Sequence, residues 1–548
     1  MKTVWDSSKD KDKMVKEFIM KKSEDGTDVS ESKYNKFLWI IPGLLAFLIA
    51  LIPTLTNAWP FTVDIYVHAR SAEVFSLYGL KFMDPMINPP NGAAITSPPL
   101  FSLILMYLGN FLNVNYFDAA RFLQPFLALF VVSSVSYVSK KFYGNVAGMS
   151  AGFIIMASYL FTRMMSPLPE TFAIIFVPLA IYMFYKAVTT KNYLYTLITS
   201  ILFLIILATH QSTTSLLFLI LTVITLILTI LKRDSIYLKN YLFFISIIIV
   251  SGIVASIGLM IFKPGMASTI LTYAVSMIKT SVPYNDPISN AKYLIYLGIV
   301  LIFALIGGLV SLKRRTTKDI FILIWIFVLF IMSKSYWFGV NVYTIRLLIH
   351  LLIPLSILGG LGLSYLYLEF KKKEFTNKSI RDGLLITTCI ILSLFAVVTA
   401  TGSNFETIPQ YNTQPYGSSN ISIPQLAPPT NSDLEIETWF NKYGNNKSSI
   451  LSNNYNTNQF LVATTGQPVI NVGTSERIIT GGFKSSELNT YKIGYFVFDK
   501  RLTFPSNTTD KYLDQGFIYL NSKYTIQSVL PSDATLLYQN QYYMIYKI

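Results

Sequence analysis

Asp64, His68 and Arg70 stand four and two residues apart, just past the first apolar run, in Thr62-Val-Asp64-Ile-Tyr66-Val-His68-Ala-Arg70. Met83-Asp84-Pro85, Pro89-Pro-Asn-Gly92 and Ser97-Pro-Pro-Leu100 follow. A purely structural loop has little need of charges there. A carboxylate in such a place can serve as a general base or ligate a metal. His68 lies one helical turn beyond Asp64 and can share its face. The competing readings are a helix cap for Asp64 and a plain interfacial histidine for His68.

Further along, isolated polar residues recur at the ends of apolar runs. Arg163 and Glu170 flank Ser166-Pro-Leu-Pro169, and His210-Gln211 separates two more runs. Arg346 enters a late run in Tyr343-Thr-Ile-Arg346, with His350 one turn deeper. Ionisable groups at membrane depth are costly and are functional candidates by default. A guanidinium can grip phosphate oxygens two at a time. Each also has a structural alternative: Glu170 as the acid at a helix N-terminus, His210 as a span-end polar residue, Arg346 as a snorkelling cation.

The elements that must position these groups are membrane spans. Of 548 residues, 52% are hydrophobic and 13% charged, and mean hydropathy is +0.47. Eleven apolar runs read as helices, because backbone polar groups in lipid must be satisfied internally. They are Phe37–Leu55, Ala119–Val138, Val146–Leu160, Thr171–Ala187, Tyr193–Thr209, Thr213–Leu231, Tyr241–Phe262, Tyr293–Leu312, Ile320–Ser333, Thr344–Tyr367 and Leu384–Ala400. The first follows a long polar leader of mixed charge and reads as an uncleaved anchor.

Leu100–Leu112 is apolar but too short to cross. If it lies in the outer leaflet, the clusters Lys140-Lys141, Lys186/Lys191, Lys232-Arg233/Lys239, Lys313-Arg314-Arg315/Lys318 and Lys371-Lys372-Lys373/Lys378/Arg381 all face the side of the N-terminus. The positive-inside rule makes that side cytoplasmic. Asp64, Glu170, His210, Arg346 and the loop Lys263–Lys292 then share the outer face.

Of the net charge of +15, +14 lies in residues 37–400, with 25 basic and 11 acidic side chains. Its placement points to membrane orientation and away from nucleic acid. The single cysteine, Cys389, excludes an intrachain disulfide or a multi-cysteine metal site. No P-loop, GxSxG, HExxH or dinucleotide fingerprint stands at a credible location. Gly359–Gly362 lies inside a run and reads as close helix packing.

The expected organisation is a cytoplasmic polar segment (1–36), a transmembrane domain (37–400) with a large first outer loop (56–118), a linker (401–430), and an extracytoplasmic α/β domain (431–548). The fold class is thus an α-helical polytopic membrane protein of about eleven spans with a small C-terminal α/β domain. Three N-x-S/T sequons, at Asn420, Asn446 and Asn507, fit exposure of that last part.

At these residues the chain resembles the GT-C superfamily of membrane glycosyltransferases, which use polyprenyl-phosphate or polyprenyl-diphosphate sugars. Asp64-x-Tyr66-x-His68-x-Arg70, with Asp84-Pro85, Pro90-x-Gly92 and Pro98-Pro99-Leu100, resembles the first outer loop of archaeal oligosaccharyltransferase catalytic subunits. The Pro-Pro-Leu segment followed by Ala-Ala-Arg121 is also similar to protein mannosyltransferases and lipid A aminoarabinose transferases. The resemblance implies a catalytic role for Asp64, with Glu170 as the second acid and Arg346 as the holder of lipid phosphate. His68, Arg70 and His210 join Arg346 as substrate-binding candidates. It further implies a divalent cation, Mg or Mn, on Asp64 and Glu170.

The partners implied are a polyprenyl-linked sugar donor, membrane lipid, and a protein, lipid or surface-glycan acceptor on the outer face of the cell membrane. Two departures stand out. Glu170-Thr-Phe172 supplies one acid where a DxD or ExD is expected. Thr438-Trp-Phe-Asn-Lys-Tyr-Gly444 only echoes the WWDYG motif of oligosaccharyltransferases. The alternatives are an oligosaccharyltransferase proper and, in a different class, a transporter or flippase of lipid-linked or polar solutes.

Overall fold

The computed structural model describes residues 35–60, 62–262, 287–372, 378–402, 412–413, 421–422, 428–504, 511–514, 516–521 and 530–548. Each of the eleven apolar runs falls mainly on helix. Among the described residues, seven helices are long and apolar enough to cross a bilayer: Phe37–Thr56, Tyr116–Tyr143, Pro169–Thr190, Gln211–Lys232, Ile236–Ile261, Thr344–Phe370 and Ser379–Thr401. Asn145–Met156, Tyr193–Leu207 and Thr317–Ser333 are shorter helices between them. The protein is therefore a polytopic helical membrane protein with a small C-terminal α/β unit.

Two expected spans are broken. The run Tyr293–Leu312 is two helices, Asn290–Leu297 and Val300–Arg314, bent by 93°. Gly298 makes the corner at φ +51°, a conformation costly for a residue with a Cβ. The run Val146–Leu160 leaves the helix after Met156. There the Ser158 hydroxyl donates to the Tyr296 carbonyl (2.7 Å), and the chain re-forms as a five-residue helix, Phe161–Met165. That break is what brings Arg163 into the site.

The bundle closes around the helix Thr344–Lys372, whose apolar window is fully buried. Trp325, Phe142, Phe184 and Phe321 are buried around it. Its Gly360 and Gly362 lie where a Cβ would run into the carbonyls of Ala147 and Phe303. The glycine run thus lets three helices approach at backbone contact. By contrast, the helix Ile236–Phe262 exposes Ile249, Ile253, Ile257 and Met260, the surface expected of a lipid-facing helix.

Because the helices alternate in direction, the turns bearing Lys140-Lys141, Lys232-Arg233 and Lys313–Arg315 gather at one end of the bundle. There Asp319, fully buried, completes a capping box with Thr316 and pairs with Arg314 at 2.9 Å. The Lys318 ammonium donates to the Phe142 carbonyl at 2.6 Å. The opposite end carries Asp64, Arg163, Glu170, His210 and Arg346.

Leu100–Leu112 is a helix with the expected bounds. At 1.5 Å per residue it is roughly 20 Å long, short of the ~30 Å hydrocarbon core. Its first N–H donates to the Ala208 carbonyl (3.0 Å), tying it to the turn that carries His210.

The C-terminal unit is built on a four-stranded sheet of Ser449–Ser452 (β1), Ile493–Asp499 (β2), Thr535–Gln539 (β3) and Tyr543–Lys547 (β4). Their order across the sheet is β3–β4–β2–β1. β1 and β2 run parallel; the other pairs are antiparallel. The unit shares a core with the first outer loop. Tyr66 and Phe101 pack with Phe440, Phe460 and Val497, and the Tyr66 and Phe460 rings are 5.4 Å apart. Backbone bonds reinforce this: Val469 N–H to the Met86 carbonyl (2.8 Å) and Asn88 N–H to the Val469 carbonyl (2.7 Å). The sequons at Asn420 and Asn507 lie outside the described residues; Asn446 is exposed.

Inside the unit, Arg501 donates to Asp499 (2.8 and 2.9 Å), to Asp433 (3.2 Å) and to Tyr543; both carboxylates are fully buried. Breaking one side of such a buried pair costs about 3–5 kcal/mol. Arg501→Met is therefore expected to destabilise the C-terminal unit by that order, read by denaturant unfolding of the full chain and by protease sensitivity of that unit.

Candidate active site

Asp64 is the first residue of the helix Asp64–Tyr78, preceded by Val63, which offers no side-chain cap. Its carboxylate faces two guanidinium groups, at 3.6 Å from Arg163 and 3.9 Å from Arg346. It is 43% exposed and opens into a cleft. His68, one turn on, lines the same cleft, so the two share a face as their spacing predicts.

Glu170 is held differently. Pro169 begins the helix Pro169–Thr190 with the φ a helix needs, and Glu170 follows in its first turn. Its carboxylate is 5% exposed, 3.6 Å from Arg163 and 3.8 Å from His350 Nδ1. Neither carboxylate oxygen has a hydrogen-bond partner among the described residues. Arg163 thus sits between the two acids. The Thr171 hydroxyl and the Ser166 N–H both donate to its carbonyl, fixing the short helix beneath it.

His210 precedes the helix Gln211–Lys232 as its N-cap. Its Nδ1 is 2.7 Å from the Thr213 hydroxyl, which is 2.9 Å from His350 Nε2. His350 Nδ1 lies 3.0 Å from the Arg346 carbonyl and donates to it. The chain's three histidines therefore all belong to this neighbourhood, two of them joined through Thr213.

Together Asp64, His68, Arg163, Glu170, His210 and Arg346 line a cleft of about 290 Å³, closed on one side by Thr96-Ser97-Pro98. Burial raises the Asp64 carboxyl, but Arg346, Arg163 and His68 more than offset it and hold the group below its ordinary 3.8. Burial drives His68 and His210 down to about 4, against the pull of Asp64 and Glu170 respectively. Both imidazoles are neutral near pH 7. They offer hydrogen bonds, while the positive charge of the cleft comes from the arginines.

Of the expected site residues, Arg70 alone does not line the cleft. It turns to the other face of its helix and forms a two-point pair with Asp84 (2.7 and 2.8 Å) and a bridge to Glu73. Asp84 also accepts from the Met86 N–H, so this pair fixes the loop that joins the C-terminal unit.

Four contributors had no assigned role in the sequence. Arg163 and His350 were marked there only as ionisable residues at the ends of apolar runs. Thr213 gave no signal, being one of several hydroxyls in its run. Tyr455 begins the helix Tyr455–Thr465 of the C-terminal unit; burial and the Asp64 charge raise its hydroxyl to about 12. The loop residues 263–286 lie outside the described residues.

The implied Mg or Mn has a poor fit. Among the described residues no group of three or more His, Cys, Asp and Glu side chains converges. The space between the two candidate ligands, Asp64 and Glu170, holds the Arg163 guanidinium.

The echo segment Thr438–Gly444 falls at the end of the helix Asn431–Tyr443. Trp439 and Tyr443 there line a shallow groove with Tyr538 that shares no residue with the cleft.

No family model matches the chain, and no curated protein matches it. Solved structures do. The oligosaccharyltransferase AglB of Archaeoglobus fulgidus, in complex with an inhibitory peptide and a dolichol-phosphate, superposes with a TM-score of 0.59 at 11% identity, covering 86% of this chain and 70% of that one. The same oligosaccharyltransferase has been solved in complex with Zn and sulfate. ArnT from Cupriavidus metallidurans, bound to undecaprenyl phosphate, gives 0.63 at 9% identity, covering 93% and 98%. The mycobacterial arabinofuranosyltransferase AftD gives 0.51 at 12%, covering 95% of this chain and 42% of its own. All are GT-C glycosyltransferases, and the chain described here has the GT-C fold.

Proposed function

We propose that the protein is a membrane glycosyltransferase that moves a sugar from a polyprenyl-phosphate-linked donor to an acceptor on the outer face of the membrane. The observation that carries this reading is the cleft itself. Two carboxylates and two guanidinium groups converge at the rim of a bundle that shares its fold with proteins solved in complex with dolichol-phosphate and undecaprenyl phosphate. The basic turns gather at the opposite end, which the positive-inside rule assigns to the cytoplasm together with the N-terminus. The C-terminal unit then lies outside.

In this account the isoprenoid tail lies along the spans and its phosphate pairs with Arg346, whose side chain is 39% exposed to the cleft. The acceptor's nucleophilic atom bonds to the anomeric carbon as the carbon–oxygen bond to phosphate breaks. The electron pair leaves with the phosphate, and the acceptor's proton passes to Asp64. Arg346 neutralises charge that grows on the departing phosphate. An anion bound to Arg346 also removes one of the cations that depress Asp64, making it a better base once the donor is in place. Glu170 keeps Arg163 in position beside Asp64, and Tyr455 brings the C-terminal unit to the acceptor side.

Thr213 is expected to matter through the histidines it joins. Thr213→Val leaves the buried His350 Nε2 without its hydroxyl partner, at about 1–3 kcal/mol, while His210 Nδ1 keeps only the backbone N–H of residue 213. Turnover should fall roughly tenfold while the donor KM changes little, as steady-state kinetics with a lipid-linked sugar would show. The reading as a whole is tested by incubating purified protein with a polyprenyl-phosphate-linked sugar and following loss of sugar from the lipid. A transporter moves the lipid-linked sugar intact and leaves that bond unbroken.

A further inference from the structure

A divalent ion shared by Asp64 and Glu170 needs more ligands than two carboxylates and an open position between them. The position is filled. One nitrogen of Arg163, Nη2, stands 3.6 Å from Asp64 Oδ2 and 3.6 Å from Glu170 Oε2, and Arg346 Nη2 is 3.9 Å from the same Asp64 oxygen. Among the described residues of the cleft, two carboxylates face two guanidinium groups, so their fixed charges already cancel. A dication added here would meet two cations across a poorly screened cleft. Nor is Arg163 poised to leave. It is 9% exposed, on a helix pinned through its own carbonyl, and swinging away would strand Glu170, whose oxygens have no hydrogen-bond donor among the described residues.

We propose that Arg163 is the resident cation of this site, standing where a divalent metal would bridge the two acids, and that the protein's chemistry needs no such metal. The proposal rests on reading the cleft as a transferase site. Arg163 does two things a bridging ion would do. It holds Asp64 and Glu170 at a fixed spacing, and it places positive charge beside Asp64 where a donor phosphate enters. The same geometry accounts for the single acid at Glu170-Thr-Phe172. A second carboxylate there would be needed to complete a metal's ligand set, and an arginine bridge has no use for it.

The test pairs a binding measurement with a kinetic one on the full chain in detergent. Mn²⁺ is titrated into wild type and followed by electron paramagnetic resonance. The expected spectrum is that of free Mn²⁺; one equivalent bound, and lost in Asp64→Asn, would overturn the proposal. This arm needs no transfer activity, so it decides the metal question even if the transferase reading fails. In the kinetic arm, transfer from a polyprenyl-phosphate-linked sugar is expected to change less than about twofold between chelator and added Mg²⁺ or Mn²⁺. A fall of about tenfold or more in chelator, restored by either ion, would overturn it. Arg163→Gln should lose roughly a hundredfold, the scale of removing one electrostatic stabiliser. Arg163→Lys, which keeps the charge and guards against a folding defect in the first variant, should lose about tenfold. Wild-type rates in a folded Arg163→Gln protein would equally contradict the proposal.

Discussion

Asp64→Asn is expected to lower sugar transfer by roughly 10²–10⁴, the contribution of a positioned general base. The substitution keeps the size of the side chain and a hydrogen-bonding group at the mouth of the cleft, so the chain should fold as the wild type does. It removes the ability to take the acceptor's proton and one of the two charges that hold Arg163. The loss should therefore fall on kcat, with a smaller change in donor KM. A thermal midpoint within a few degrees of wild type would establish that the loss is chemical. The opposite pattern, an intact kcat with a raised KM, would make Asp64 a binding group only.

Arg346→Leu is the second large effect. Here the loss should appear in both the donor KM and kcat, because the guanidinium meets the phosphate before the reaction and takes up more charge as it leaves. Removing one such donor typically costs about 10²–10³ in rate. Arg346→Lys should recover part of it, since an ammonium supplies charge without the planar fork. The same variant carries a pH signature. In wild type Asp64 is held below its ordinary value of 3.8, with Arg346 the foremost of the lowering charges. The wild-type rate should thus be insensitive to Asp64 titration throughout the neutral range and fall only when acid protonates the carboxylate. Without Arg346 the carboxylate binds its proton more tightly, and the acid limb of the rate profile should move to higher pH. An acid limb that stays put would dissociate Arg346 from Asp64.

What the sequence made legible follows from what depends on local pattern. Helix positions come from apolar runs, and all eleven fall mainly on helix because lipid enforces that solution, although among the described residues seven helices, or eight counting the bent pair, are long enough to span. Leu100–Leu112 was readable to the residue, bounded by Pro99 and by Asn113 in a left-handed conformation. The same was true of Asp64 and His68, whose spacing alone puts them on one face. Breaks within spans were hidden. Nothing in the sequence marks Gly298 as a corner among the glycines of the bundle, and the unwinding after Met156 depends on a carbonyl contributed by Tyr296, 138 residues later than Ser158.

Charge and proximity in sequence point Arg70 to the cleft, and nothing local says otherwise. Two residues beyond His68 it lies off the Asp64–His68 face, and Asp84 waits there to pair with it. Arg163 shows the converse. Its own sequence marks it as costly and therefore purposeful, but only the fold shows that the purpose is to stand between two acids. Thr213 was beyond reach, since its importance lies in joining two histidines 140 residues apart in sequence, His210 and His350.

The central claim is that the Asp64 cleft transfers sugar from a lipid phosphate. Its most direct test compares purified wild-type protein with Asp64→Asn, each given a radiolabelled polyprenyl-phosphate-linked sugar and source membranes as acceptor. Sugar leaving the lipid is followed by thin-layer chromatography. The account predicts time-dependent release and transfer by wild type, and at least a hundredfold slower reaction by the folded variant. Equal rates in the two proteins would contradict it.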